Sequence, residues 1–224
     1  MRYIFTILIL IFPLTIYSNN LNSLKESWLN NSIDSTEFVE KLTNIQGKDV
    51  EEQCEILLYQ GKALYLINNK KESIKVLEEV IEISEMEIKR DPSSNQLRIL
   101  SEAGTYLMLQ KGVSYIIANS KDINNYAIKS LEMDKSNYRA EFIIANGLIN
   151  APAIFGGDFN KGIESLKNII TNADDMETLF DTYLALSIAY TKKDKNEAIK
   201  YCNEALKLYP KNIRANDLLN SLKG

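Results

Sequence analysis

The chain has 224 residues, 45% of them hydrophobic and 25% charged, which suits one globular core or one short array. With no His at all and only 2 Cys, it cannot form Ser-His-Asp or Cys-His nucleophile systems, His-ligated metal sites or a Cys₄ zinc site. A net charge of −4 and a pI near 5.1 exclude a protein that lives on nucleic-acid phosphates, and 9 Gly with 4 Pro are too few for a turn-rich β-sandwich.

In chain order, residues 1–18 stand apart. Arg2 is their only charge, and Ile4 to Tyr17 is an apolar run interrupted by two threonines and Pro13, followed by Ser18-Asn19-Asn20. This layout predicts a secretory signal peptide over 1–18 and a single folded domain over 19–224. Ile16 is larger than the residue usual three places before a cleavage site, so an uncleaved N-terminal membrane anchor is the alternative. The run is shorter than the roughly 20 residues of a spanning helix, and no later stretch is apolar enough to cross a bilayer. No cysteine lies near the junction to carry a lipid. The expected location is therefore exported: periplasmic or associated with the cell envelope. Cys54 and Cys202 fall on apolar helix faces, read as buried free thiols that an elongated array holds far apart.

Residues 21–46 are expected to form one or two small helices. Beyond them the apolar spacing is helical. Ala198, Ile199, Cys202, Ala205, Leu206 and Tyr209 share one face of a helix over 195–209, and Leu179, Tyr183, Leu186 and Tyr190 share one over 179–192. The polar turn Lys192-Lys193-Asp194-Lys195-Asn196 joins the two into an antiparallel hairpin. No segment alternates with period two, so no sheet is predicted. Helix-ending signals recur at Asp91-Pro92, Asp134-Lys135-Ser136-Asn137, Asp174-Asp175 and Tyr209-Pro210. Taking 92, 135, 174 and 210 as equivalent gives intervals of 43, 39 and 36 residues, approaching from above the roughly 34-residue period of a helix-turn-helix repeat.

On these residues the chain resembles the tetratricopeptide repeat (TPR) family. Residues 180–212 carry the pattern best. Tyr183, Leu186, Ser187 and Tyr190 stand at the family's first-helix positions, and Ala198, Cys202, Ala205 and Pro210 at its second-helix and closing-proline positions. Residues 54–92 (Leu57, Gly61, Leu64, Ser73, Leu77, Val80), 94–137 (Ala127, Leu131, Asp134, Asn137) and 138–174 (Ala140, Ile144, Ala145, Leu148, Gly162, Leu166, Ile169) are degenerate copies, and 211–222 form a closing helix. The resemblance implies an all-α fold: a right-handed superhelix of stacked antiparallel helix hairpins with partly degenerate repeats.

By the family's register, first-helix residues turn toward a concave groove: Glu55, Leu58, Lys62 and Tyr65; Arg139, Phe142, Asn146 and Asn150; Leu184, Ile188, Thr191 and Lys192. Of these, Tyr65, Arg139, Phe142, Asn146, Asn150, Leu184, Ile188 and Lys192 are the candidate partner-binding residues. The row mixes apolar anchors with polar and cationic side chains, as a peptide-reading groove does. The resemblance thus implies an exported, non-catalytic scaffold or adaptor that binds a protein or peptide partner in the cell envelope. The alternative is a ligand- or solute-binding helper of a periplasmic transport system. The insertion Ala151–Asp158 loosely resembles one found in relatives of the helper component of tripartite transporters, and that reading expects a closed, apolar-lined pocket beside the loop.

The insertion itself reads as a turn: Pro152 ends a helix, Gly156-Gly157 allows positive φ, and Asp158 caps the helix from Phe159. It lacks the Gly-Lys-Ser/Thr of a phosphate loop. The acidic run Glu78, Glu79, Glu82, Glu85, Glu87 lies opposite Ile74, Leu77, Ile81 and Ile88 and reads as a solvated helix face. No Asp-x-Asp-x-Asp-Gly loop exists, and no acidic residue is expected on an apolar face. No cofactor, metal or catalytic residue is assigned.

Overall fold

The computed structural model describes residues 17–224, so the signal-peptide reading falls on residues outside the described part, apart from Tyr17 and Ser18. Two short helices come first, α1 (Tyr17–Leu29) and α2 (Ser35–Thr43). Four antiparallel hairpins follow: α3 (Val50–Leu66) with α4 (Lys70–Arg90), α5 (Ser94–Lys111) with α6 (Val113–Met133), α7 (Tyr138–Asn150) with α8 (Phe159–Asn172), and α9 (Met176–Tyr190) with α10 (Lys195–Leu208). Helix α11 (Ile213–Lys223) closes the chain, and the described residues contain no strand.

Helix starts are written in the sequence. Asp34, Asp49, Ser93, Asn137, Asp158, Asp175, Asp194 and Asn212 each accept a backbone N–H of the turn they precede. This satisfies donors that a helix start otherwise leaves open. Within each hairpin the helices approach through small residues. Ser73 Oγ donates to the Gly61 carbonyl at 2.8 Å, Ser101 Oγ to Ile123 at 2.7 Å and Ser187 Oγ to Ala198 at 2.8 Å. A Cβ on Gly61 would lie 2.7 Å from the Leu77 side chain, so this seam excludes even alanine without a shift. The α5–α6 hairpin turns on one residue, Gly112, at φ +82°, a left-handed conformation that favours glycine.

The inner helices α3, α5, α7 and α9 run parallel, because each returns through an antiparallel outer helix, and neighbours pack side by side. The stack closes on itself instead of remaining an elongated array. Leu29 of α1 packs in one cluster with Phe180, Cys202, Tyr209 and Leu219 of the last repeat. Asn212 Nδ2 donates to the Leu29 carbonyl at 2.6 Å, and the Lys211 N–H to Asn30 Oδ1 at 3.1 Å. Trp28, the sole tryptophan, stacks on Phe38 at 4.5 Å and donates its indole N–H to Ser35. The buried members of every core cluster lie between Leu21 and Leu222. Cys54 and Cys202 are buried free thiols in separate clusters, their pKa values raised chiefly by burial.

Candidate functional site

The closed stack brings charged residues of the four inner helices to the central axis. Lys62 of α3 reaches Glu102 of α5 at 2.9 Å, and Arg139 of α7 reaches the same carboxylate at 2.6 Å. Arg139 also pairs with Asp181 of α9 at 2.6 Å and lies 3.9 Å from Glu177. Glu177 returns to Lys62 at 3.4 Å, completing a ring through α3, α5, α7 and α9. Arg98 joins it from α5 through Glu55 at 2.5 Å and Glu102 at 3.5 Å. From α1, Lys25 reaches Glu177 at 3.1 Å and Glu55 at 3.8 Å. Four cations therefore meet four carboxylates, and Lys62, Arg98, Glu102 and Glu177 are buried.

The surroundings fix the charge states. Burial opposes the carboxylate form of Glu102, but Arg139 and Lys62 more than reverse it and hold its pKa well below the ordinary carboxylate value. Burial likewise opposes ionised Glu177, and Lys25, Lys62 and Arg139 hold that group low. Lys62 is disfavoured by burial and restored by Glu102 and Glu177, which keep it above the ordinary amine value. Tyr59 donates its hydroxyl to Glu177 while burial and that carboxylate push its pKa up, so it stays neutral. The Lys62 ammonium also sits 4.2 Å from the Tyr59 ring centroid. Carboxylates held this firmly in their charged state do not serve as general acids near neutral pH.

The ring overturns the expectation that no acid lies on a buried face. Glu102 and Glu177 occupy such faces, 40 and 115 residues in sequence from their shared partner Lys62, a pairing that helical periodicity does not reveal. The predicted groove residues divide around it. Arg139 is a member of the ring, and Lys62 and Glu55 belong to it too. Leu184, 3% exposed, packs into the α9–α10 core cluster, and Leu58 is buried in another. For these two the register assignment is corrected: their side chains fill the seam between paired helices and present no surface to a partner. Tyr65, Phe142 and Asn146 are half-buried, and Asn150, Ile188 and Lys192 are exposed. Phe142 lies one turn past Arg139 in α7, and the other five lie toward or just past the C-terminal ends of α3, α7 and α9, beyond the ring. Tyr65 meets Tyr106 edge to face at 5.8 Å, and Phe142 lies under the Arg139 guanidinium at 5.1 Å. Asn146 and Asn150 donate back to carbonyls of their own helix.

The insertion forms the turn the sequence predicts. Pro152 precedes a single 3₁₀ turn over Ala153–Phe155, Gly156 takes φ +87°, and Asp158 caps α8. A Cβ at Gly157 would lie 1.8 Å from the Ala151 carbonyl oxygen, which restricts that position to glycine. Two open clefts flank α1, of about 210 Å³ beside Lys25, Glu26, Asp175 and Glu177 and about 290 Å³ beside Asp49, Glu52, Glu55 and Arg98. Neither includes a residue of the insertion, and both are rich in charged side chains. Among the described residues no three Cys, Asp or Glu side chains converge as a metal ion would require, and no helix is long and apolar enough to cross a membrane.

A stack of helix hairpins whose inner helices share one axis defines the class: a helical-repeat superhelix. The tetratricopeptide repeat family matches residues 183–212, and a second profile of the same family matches residues 55–83. These two stretches are tetratricopeptide repeats, and the chain as a whole has a TPR-like fold. Its fold is similar to that of a thermophilic TPR protein from Thermus thermophilus, with a TM-score of 0.59 and 16% identity over 92% of this chain and 98% of that one. Weaker likenesses are to YrrB, a TPR protein with an unusual peptide-binding site (TM-score 0.41, 14% identity, 90% and 96% covered), and to the C-terminal part of a TPR repeat-containing protein from Cytophaga hutchinsonii (0.37, 14%, 91% and 99%). No curated protein matches the chain. TPR proteins are generally non-catalytic scaffolds for protein–protein interaction.

Proposed function

We propose that this chain is an exported, non-catalytic scaffold that holds a protein or peptide partner in the cell envelope. The half-buried and exposed side chains beyond the ion ring on the inner helices α3, α7 and α9 carry the reading. Tyr65, Phe142 and Ile188 offer apolar or aromatic surface, and Asn146, Asn150 and Lys192 offer hydrogen bonds and charge. A preformed rigid surface loses little entropy when a partner settles on it. The ring supports a binding role over a catalytic one, since its carboxylates are paired with cations and the buried Glu102 and Glu177 are held in the ionised form. Export rests on the basic, apolar, then polar order of residues 1–20.

The test is crosslinking in the source cells, with the intact chain as bait beside a folded Ile188→Glu, Lys192→Glu variant. The expected outcome is one protein captured by the intact chain and lost with the variant. Equal capture by both sinks the groove assignment. Fractionation of the same cells tests export, which fails if the chain stays in the cytoplasm.

A further inference from the structure

The two ends of the inner helices differ sharply in charge. Residues 56–71, 103–121, 142–157 and 182–193 contain no Asp or Glu, although the chain has 30. Each stretch begins after an acidic residue of an inner helix (Glu55, Glu102, Glu141, Asp181) and runs through the turn, entering the outer helix in the first two hairpins and stopping just before its N-cap in the last two. Because the inner helices are parallel, all four stretches end at the same end of the molecule. Packing between neighbouring turns agrees: the Lys193 ammonium lies 3.3 Å from the centroid of the Phe159 ring, joining the last two hairpins. The opposite end holds Asp49, Glu51, Glu52, Asp91, Asp134, Asp174 and Asp175.

Nine of the thirteen large apolar side chains exposed among the described residues belong to this acid-free end. Single exposed apolar residues are ordinary, but a concentration of them marks a contact surface. Ile154 and Phe155, 85% and 72% exposed, project from the apex of the insertion. Leu109, Val113 and Ile117 form an exposed patch across the Gly112 turn. Lysines stand among them: Lys70, Lys71, Lys121, Lys192 and Lys193 are exposed. The nearest carboxylates lie at the start of, or within, the outer helices and are largely engaged. Asp158 and Asp194 cap α8 and α10, Glu72 pairs with Lys75 and Glu78 with Lys111, leaving Asp122 partway along α6.

From this juxtaposition we propose that the turn end of the stack docks on an anionic membrane surface. Projecting aliphatic and aromatic tips enter the headgroup boundary, and the surrounding lysines meet lipid phosphates. The tips rise from separate turns with carboxylates excluded between them, which suits a broad, uniformly negative surface. The inference goes beyond the scaffold reading: a partner presented at the bilayer surface meets the same end of the molecule.

The test uses the full chain and, to remove any contribution of its apolar N-terminal run, the chain from residue 17, whose residues supply the whole described core. Each is floated with vesicles of equimolar phosphatidylglycerol and phosphatidylcholine, or of phosphatidylcholine alone. The chain from residue 17 is expected to bind the anionic vesicles and to lose about tenfold or more of that binding with Ile154→Ser, Phe155→Ser or with Lys70→Glu, Lys71→Glu, none of which is a groove residue. Phe155→Trp gives a second readout, a blue-shifted emission on adding anionic vesicles while the buried-face Trp28 is unchanged. Unaltered thermal melting shows that the variants fold. No binding to anionic vesicles, or binding the variants leave intact, overturns the proposal. So does loss of a crosslinked protein by the tip variants without vesicle binding, which assigns the surface to a protein. Failure of the scaffold reading is seen separately, in the crosslinking of Ile188→Glu, Lys192→Glu.

Discussion

The seam inside a hairpin and the axis between hairpins use different chemistry to solve the same packing problem. At the α3–α4 seam, Gly61 lets Leu77 lie against the backbone, and Ser73 bonds the Gly61 carbonyl across the gap. Its geometry is set by size, between residues 12 and 16 apart. At the axis, Lys62, Glu102, Arg139 and Glu177 join four helices through charge. A seam of this kind loses stability gradually when a methyl group is added or removed. A buried ion ring fails abruptly, because removing one member strands its partners in a medium that solvates them poorly.

The largest test of that contrast is Glu102→Gln, which leaves Lys62 and Arg139 without their shared carboxylate. The expected cost is about 3–5 kcal/mol in denaturant unfolding, and a cost below that of a seam variant removes the distinction. Next is Gly61→Ala, which forces Leu77 to shift and is expected to cost about 1–3 kcal/mol. An unchanged midpoint shows that the seam has slack.

Acid separates the regions without mutation. Glu102 and Glu177 have folded pKa values below their ordinary 4.5, so their stabilisation is fully present above that pH. It is lost as pH falls from there toward the depressed folded values, where the carboxylates finally protonate. Unfolding titrations of the wild type and Glu102→Gln should therefore converge as the pH drops below 4.5. Parallel curves would show that the ring does not set the acid limit. The smallest effect belongs to Phe155→Ser, within about 0.5 kcal/mol of wild type, since that side chain touches solvent; a larger loss would give the insertion a structural role.

Much of the hairpin architecture was legible because its signals are local. Asp-Pro, Asp-Asp and Tyr-Pro pairs mark turns, and Ala198, Cys202 and Ala205 recur at the helical period. The groove was read less well. Family register pointed Leu58 and Leu184 toward a partner, while both fill seams, and it treated Lys62 and Arg139 as free surface, while both are held in the ring. No signal of spacing could have paired Lys62 with Glu177, since their contact depends on the fourth inner helix returning beside the first. A carboxylate in mid-helix at Glu102, flanked by Leu100, Ala103 and Gly104, is the one local hint of burial.

The sequence by itself determined the helices, their caps, their pairing into hairpins and the acid-free stretches at the turn end, because helical period, capping and local charge act over a few residues. Only the tertiary structure decided that the stack closes, that α1 meets the last repeat and that the charges at the axis form one buried ring. Those outcomes depend on the accumulated rotation from hairpin to hairpin, and each ion finds its partner only once four helices have come together.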